Sequence, residues 1–340
     1  MSPSRAALYL CLPLALACGG VTPTAATATH DPDPAAALSP GDRPTASEQP
    51  LSAEVAKGVA LLEANDLAGA GSRFEAALKS NPADADALYY LGALAEKAGD
   101  AGGAESSYKA ALGARPGFTG AEVNLSALYD DAQRYDDALA ITTPGLAQHP
   151  KEGSLHLNAG IAYGGKKDGA AAVREFDAAV AIAPRDATFR LVYGHWLAAL
   201  GDKDAASKQL AAAVPLAAKN VGVLAAIGHE LHVSKAFAEC VGVLGQAIAL
   251  QDAAELWTER AACKIGQQDA AGALADLRAA TTKDAAYAPA HYYLGNELAK
   301  GGQFAAAVVE YQAFLKLEPN GPLAKGVAEK IRLAKQHGGR

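Results

Sequence analysis

The sequence predicts an all-α solenoid of about eight short helix pairs followed by a C-terminal capping helix. Three observations carry that prediction. Half of the 340 residues are hydrophobic but only 6% are aromatic, and alanine and leucine supply most of the apolar side chains. That composition suits helices in close contact, because alanine has the best helix propensity and the smallest side chain; a strand-rich chain would need more β-branched and aromatic residues. Proline recurs at Pro82, Pro116, Pro150 and Pro184, 34 residues apart each time. Between those prolines, small and large residues return in fixed register.

Residues 1–17 read as an export signal. Arg5 precedes an apolar stretch, Ala6 to Ala17, that is too short for a bilayer, which needs about 20 apolar residues. It ends in Ala15-Leu16-Ala17, with Cys18 next. This resembles the lipobox of bacterial lipoproteins, with leucine and alanine at 16 and 15 in the less common order. The resemblance implies acylation of Cys18, and Gly19 in the next position implies sorting to the outer membrane, facing the periplasm. The alternative is an ordinary secretory signal cut after Ala17. Several acyl chains on one residue would anchor the protein firmly. Residues 18–50 then change to Gly, Pro, Thr, Ala and Asp with no helical or strand period. Such a segment cannot bury enough apolar surface to fold and is expected to be a flexible tether.

The repeats occupy residues 51–321. Counting 34-residue units as 51–84, 85–118, 119–152 and 153–186, the eighth place holds Gly58, Gly92, Ser126 and Gly160, continuing to Gly194 and Gly228. The twentieth holds Ala70, Ala104, Ala138, Ala172 and Ala206; the twenty-fourth holds Phe74, Tyr108, Phe176 and Leu210. Places 4, 7, 8 and 11 share one face of a first helix, and places 20, 24 and 27 share one face of a second. Gly or Ala lets the two backbones approach, and the large residue fills the space beside them. Turn residues such as Asn65-Asp66, Gly99-Asp100 and Gly201-Asp202 stop the first helix, and the proline at place 32 ends the second. Units five to eight follow as 187–220, 221–253, 254–287 and 288–321, unit six being one residue short. Residues 322–340 form the capping helix and tail, with Leu323, Val327, Ile331 and Leu333 mixed among basic residues. Pro144 and Pro215 fall inside second helices, and each is expected to kink or shorten its helix.

This register is similar to the tetratricopeptide repeat, over nearly the whole chain beyond residue 50. The resemblance implies a right-handed superhelical solenoid whose first helices line an inner wall, with places 2, 5, 6, 9, 12 and 13 pointing into it. Those places supply Tyr89, Tyr90, Asn124, Asn158, His195, His229, His232, Tyr292, Tyr293 and Asn296 as a candidate groove for a partner protein or extended peptide. Asparagine can hydrogen-bond a peptide backbone without reading its sequence, and tyrosine adds flat apolar area with a polar tip. Asn124 and Asn158 hold the same place in successive units and are expected to form a ladder; the alternative is that the tyrosines pack between helices. The basic clamp by which some members of this family grip chaperone C-termini has no counterpart, since its places carry residues such as Val123, Asn124, Ser154 and Asn158.

Chemistry is otherwise sparse. No Walker loop, nucleophile elbow or complete dinucleotide fingerprint is present, so no enzyme activity and no cofactor are expected. A formal charge of −7 argues against a nucleic-acid partner. His229-Glu230-Leu231-His232 resembles a zincin motif but spaces its histidines three apart rather than four. With His195 at the ninth place one unit earlier, it supports a second reading, a metal- or small-ligand-binding lipoprotein, although no metal ligand set is assigned. Cys240 and Cys263 fall on neighbouring helices. In an oxidising compartment they can form a disulfide if their Cα atoms approach within about 7 Å; otherwise they are two small buried side chains.

Overall fold

The computed structural model describes residues 50–338. The export signal, Cys18 and nearly all of the tether lie outside the described residues. Among the described residues there are 17 helices and no strand, and no helix is long and apolar enough to cross a membrane.

The chain forms two compact units, one ending at Asp202 and the other beginning at Lys203. The first holds the pairs α1 (Ala53–Glu63) with α2 (Leu67–Ser80), α3 (Ala85–Lys97) with α4 (Ala101–Ala114), α5 (Thr119–Asp131) with α6 (Tyr135–Gln148), and α7 (Gly153–Gly165) with α8 (Gly169–Ile182), then α9 (Ala187–Ala199). The second holds α10 (Lys203–Ala213), the pairs α11 (Val221–Val233) with α12 (Phe237–Leu250), α13 (Ala254–Gly266) with α14 (Ala270–Lys283), and α15 (Ala288–Lys300) with α16 (Phe304–Leu317), and the terminal helix α17 (Ala324–Gly338). First helices begin at Ala85, Thr119, Gly153, Ala187 and Val221, then at Ala254 one residue early, then at Ala288. The short sixth unit is therefore real.

One turn is repeated eight times. Place 15 has positive φ in every repeat: Asn65, Gly99, Gln133, Lys167, Gly201, Lys235, Gln268 and Gly302. The next residue's N–H reaches back five positions, as Asp66 to Leu61 and Asp100 to Ala95, both at 2.9 Å or less. This is the Schellman ending, which satisfies the last carbonyls of the first helix. Aspartate at place 16 then caps the second helix: Asp66, Asp100, Asp168 and Asp269 accept from the N–H three residues on.

Within a pair, the place-8 glycine meets the place-24 side chain. A Cβ at Gly92 would stand 2.6 Å from the Tyr108 ring, and one at Gly228 would stand 2.7 Å from Leu244. The helices pack at a distance that only glycine permits. In the third repeat Ser126 and Thr142 take these two places, and both are buried.

The two internal prolines behave differently. The second helix of repeat five stops at Ala213, two residues before Pro215, and has 11 residues where its counterparts have 14. Pro144 was expected to kink or shorten its helix; it does not shorten it, since α6 runs through it for the full 14 residues. Proline removes one N–H, and Thr142 and Gly145 on either side of it are buried. Gly145 contributes by leaving room for Glu122 and Leu155, each within 3.0 Å of where its Cβ would be. On α17, Val327 is buried against Tyr311, Phe314 and Leu298, with Ile331 packed on that core. Leu333, read as part of the same apolar face, is exposed instead, and Ala334 is buried.

Candidate functional site

The first helices of the unit ending at Asp202 do not present their tyrosines and asparagines to a partner. Tyr89 is 0% exposed and Asn124 is 2% exposed; Tyr90 and Asn158 are buried as well. Tyr90 stacks on Phe74 of the preceding repeat with ring centroids 5.1 Å apart. Tyr89 packs on Phe118 at 5.2 Å and on Tyr108 at 6.0 Å. Asn124 donates to the Tyr108 hydroxyl at 3.3 Å, and that hydroxyl donates to Glu96 at 2.8 Å. Asn158 donates to the Val123 carbonyl at 2.9 Å and to Ser126 Oγ at 2.8 Å.

The expected groove assignment of these four residues is therefore corrected. Tyr90, Asn124 and Asn158 hold place 6, which turns back onto the preceding repeat rather than outward. A helix is about 10–12 Å across with its side chains, so consecutive first helices touch along this edge. Asn124 and Asn158 do form a repeating pattern, but it fastens one repeat to the next.

His195 is partly exposed and makes an edge-to-face contact with Trp196 at 5.8 Å. His229 and His232, on the first helix of repeat six, are partly exposed too. Among the described residues no group of three His, Cys, Asp or Glu side chains could hold a metal, so a histidine metal cluster is not formed. Histidines that the sequence reading passed over have clear structural roles: His156 and His291, at place 4, contact Glu175 and Glu310 through Nδ1 at 2.7 and 2.6 Å.

In the unit beginning at Lys203 the first-helix residues keep partial exposure. Tyr292, Tyr293 and Asn296 are partly exposed. Lys330 of α17 reaches this face: its Nζ donates to Asn296 Oδ1 at 2.6 Å and lies 4.8 Å from the Tyr292 ring centre. Burial and the neighbouring Tyr292 push the Tyr293 hydroxyl up to about 12.

A small pocket of about 10 Å³ opens between α11, α12 and α13, lined by His229, His232, Leu244, Glu259, Ala262 and Cys263. Glu259, which the sequence reading missed, is partly exposed as a residue, but its Oε2 is fully buried and has no hydrogen-bond partner. Burial, and then the charge of Glu255, push its carboxyl up to about 7. Burial and the proximity of His229 push His232 down. The wall behind the pocket is stapled: Cys240 and Cys263 form a disulfide with Cα atoms 6.1 Å apart, and both residues are fully buried. The repeat register carried no signal for Glu259, because the edge along which consecutive first helices meet is not written within one helix.

Two models of the tetratricopeptide repeat match this chain, one at residues 55–117 and the other at 95–158. Residues 55–158 therefore match tetratricopeptide repeats, and the helix pairs beyond residue 158 continue the same geometry. No curated protein matches it in sequence. Among solved structures, yeast Tom70 is similar with a TM-score of 0.56 at 14% identity, over 86% of this chain and 64% of that one. This chain therefore spans just under two thirds of the Tom70 length. A tetratricopeptide repeat protein from Parabacteroides merdae aligns at 18% identity and a TM-score of 0.47, over 74% of this chain and 98% of that one. At such identities the likeness to Tom70 shows the fold alone.

Proposed function

We propose that this chain is a membrane-tethered scaffold in the bacterial envelope, not an enzyme, and that it binds a partner protein or extended peptide on its first-helix face. Repeats of this class generally serve as protein-binding scaffolds. The observation that carries the reading here is the partial exposure of first-helix residues in the unit beginning at Lys203. There His229 and His232 stay partly exposed beside a pocket, Val233 on the same helix is 63% exposed, and Tyr293 on a later first helix is partly exposed. Aromatic side chains with a polar tip beside an exposed apolar residue suit a polypeptide partner. The tether and the outer-membrane location rest on the residues up to Cys18 and on Gly19.

The test is photocrosslinking in the native envelope, with a photoreactive amino acid at Val233 on the first-helix face or at Gln246 on a second helix. The scaffold reading expects a discrete partner band from Val233 only. Equal labelling from both positions, or none from Val233, would sink it. Intact mass of protein from detergent-solubilised membranes tests the anchor separately: loss of residues 1–17 with added acyl mass is expected, and an unmodified Met1 start would refute it.

A further inference from the structure

We propose that the pocket between repeats six and seven takes the ammonium group of a lysine side chain from a partner polypeptide, held by the Glu259 carboxylate. This deepens, and rests on, the reading of the first-helix face as the partner surface. Place 6 turns back onto the preceding repeat, and in repeats two to four it finds a mate: Tyr90 finds Phe74, Asn124 finds Tyr108, and Asn158 finds Val123 and Ser126. Glu259 occupies place 6 of repeat seven and lines the pocket with His229 and His232, yet its buried Oε2 has no donor. A buried carboxylate oxygen without a donor is costly to leave unmade, and a charged donor suits it best.

The surrounding charge favours a cation. The basic residues of α13 are engaged elsewhere: Arg260 donates twice to Asp276 at 2.8 Å, and Lys264 lies 2.9 Å from the same carboxylate. Glu255, on the pocket's helix, adds a second negative charge close enough to affect Glu259. From α11 the facing groups are His229 and His232, and burial disfavours the charged form of His232. From the following repeat, Tyr287 lies within electrostatic reach of both Glu255 and Glu259. The same unit already shows a lysine used in this way. The Lys330 ammonium sits over the Tyr292 ring and donates to Asn296, on the first helix one repeat further along.

Size selects the occupant. At about 10 Å³ the pocket has room for roughly one water-sized group, which matches a single ammonium head and excludes anything bulkier. A metal ion is disfavoured because no ligand trio is formed among the described residues.

The test uses the full mature protein, labelled with ¹³C at the glutamate carboxyls. It is titrated with the blocked peptide Ala-Ala-Lys-Ala-Ala, with the same peptide carrying acetyl-lysine, and with n-butylamine. The lysine peptide is expected to move the Glu259 resonance saturably, at least about tenfold more tightly than the acetylated one, as loss of a charge-assisted hydrogen bond requires. Glu259→Gln should abolish that difference while leaving the circular dichroism unchanged. Affinity should fall as pH drops below about 7, where Glu259 holds its proton. Equal response to both peptides, no response to either, or unchanged discrimination in Glu259→Gln would overturn the proposal. Tighter binding of n-butylamine than of the peptide would overturn the polypeptide source. A partner still captured from Val233 when the peptides fail would refute the lysine pocket and leave the scaffold reading standing.

Discussion

The two units use the same register to different ends. Up to Asp202, place 6 of the first helices carries Tyr90, Asn124 and Asn158, and the preceding repeat consumes each of them. From Lys203 on, the corresponding Glu259 meets no donor, and the repeats around it are joined covalently through Cys240 and Cys263. One unit spends its place-6 side chains on cohesion. The other is stapled from behind and leaves a carboxylate available. Position in a repeat therefore defines where a side chain points, and the neighbouring repeat decides whether it is glue or site.

The largest test of this contrast is Tyr108→Ala. Tyr108 is fully buried and joins Asn124 to Glu96, so its loss should cost about 3–5 kcal/mol. Hydrogen exchange should show the opening confined to residues near α3, α4 and α5. Opening that spreads across the unit beginning at Lys203 would break the comparison. Replacing Cys240 and Cys263 with alanine together should cost about 2–4 kcal/mol, and exchange should then quicken in α12 and α13. Asn158→Ala leaves the Val123 carbonyl and Ser126 without their donor and should cost about 1–3 kcal/mol by denaturant titration.

Two raised carboxyls sharpen the contrast through pH. Asp130, buried on α5 with both oxygens unpartnered, is pushed up to about 9 by burial and then by Asp131; Glu259 reaches about 7. In each case the folded state holds a proton that the unfolded chain releases near its ordinary value. The contribution is therefore full at low pH and is lost as pH rises through the folded value. Asp130→Asn should flatten the Tm profile of the wild type up to about pH 9, and Glu259→Gln should flatten it between about pH 4.5 and 7. A profile unchanged in both variants would show that neither group is buried as described. The smallest effect expected is from Gln133→Gly, which removes a side chain from a positive-φ turn residue. It should gain about 0.5 kcal/mol after the entropy lost to glycine, read as a small rise in Tm.

The sequence alone was enough for the helix pairs, their 34-residue pitch, the short sixth unit, the break before Pro215 and the closeness of Cys240 to Cys263. These follow from local rules: glycine where backbones touch, a turn residue at place 15, and proline after a helix. The yield was poorer for the site. Tyr89, Tyr90, Asn124 and Asn158 carry groups that look suited to a peptide, but burial depends on the edge along which consecutive first helices meet, and periodicity within one helix does not contain that edge. Pro144 looked like a break because the local rule sees the missing N–H and not the packing on either side of it. Nothing in the repeat register singled out Glu259. Only the tertiary structure sets it against the preceding repeat, because a side chain's polarity is written in the sequence while the dielectric and the hydrogen-bond donors around it belong to its neighbours in space.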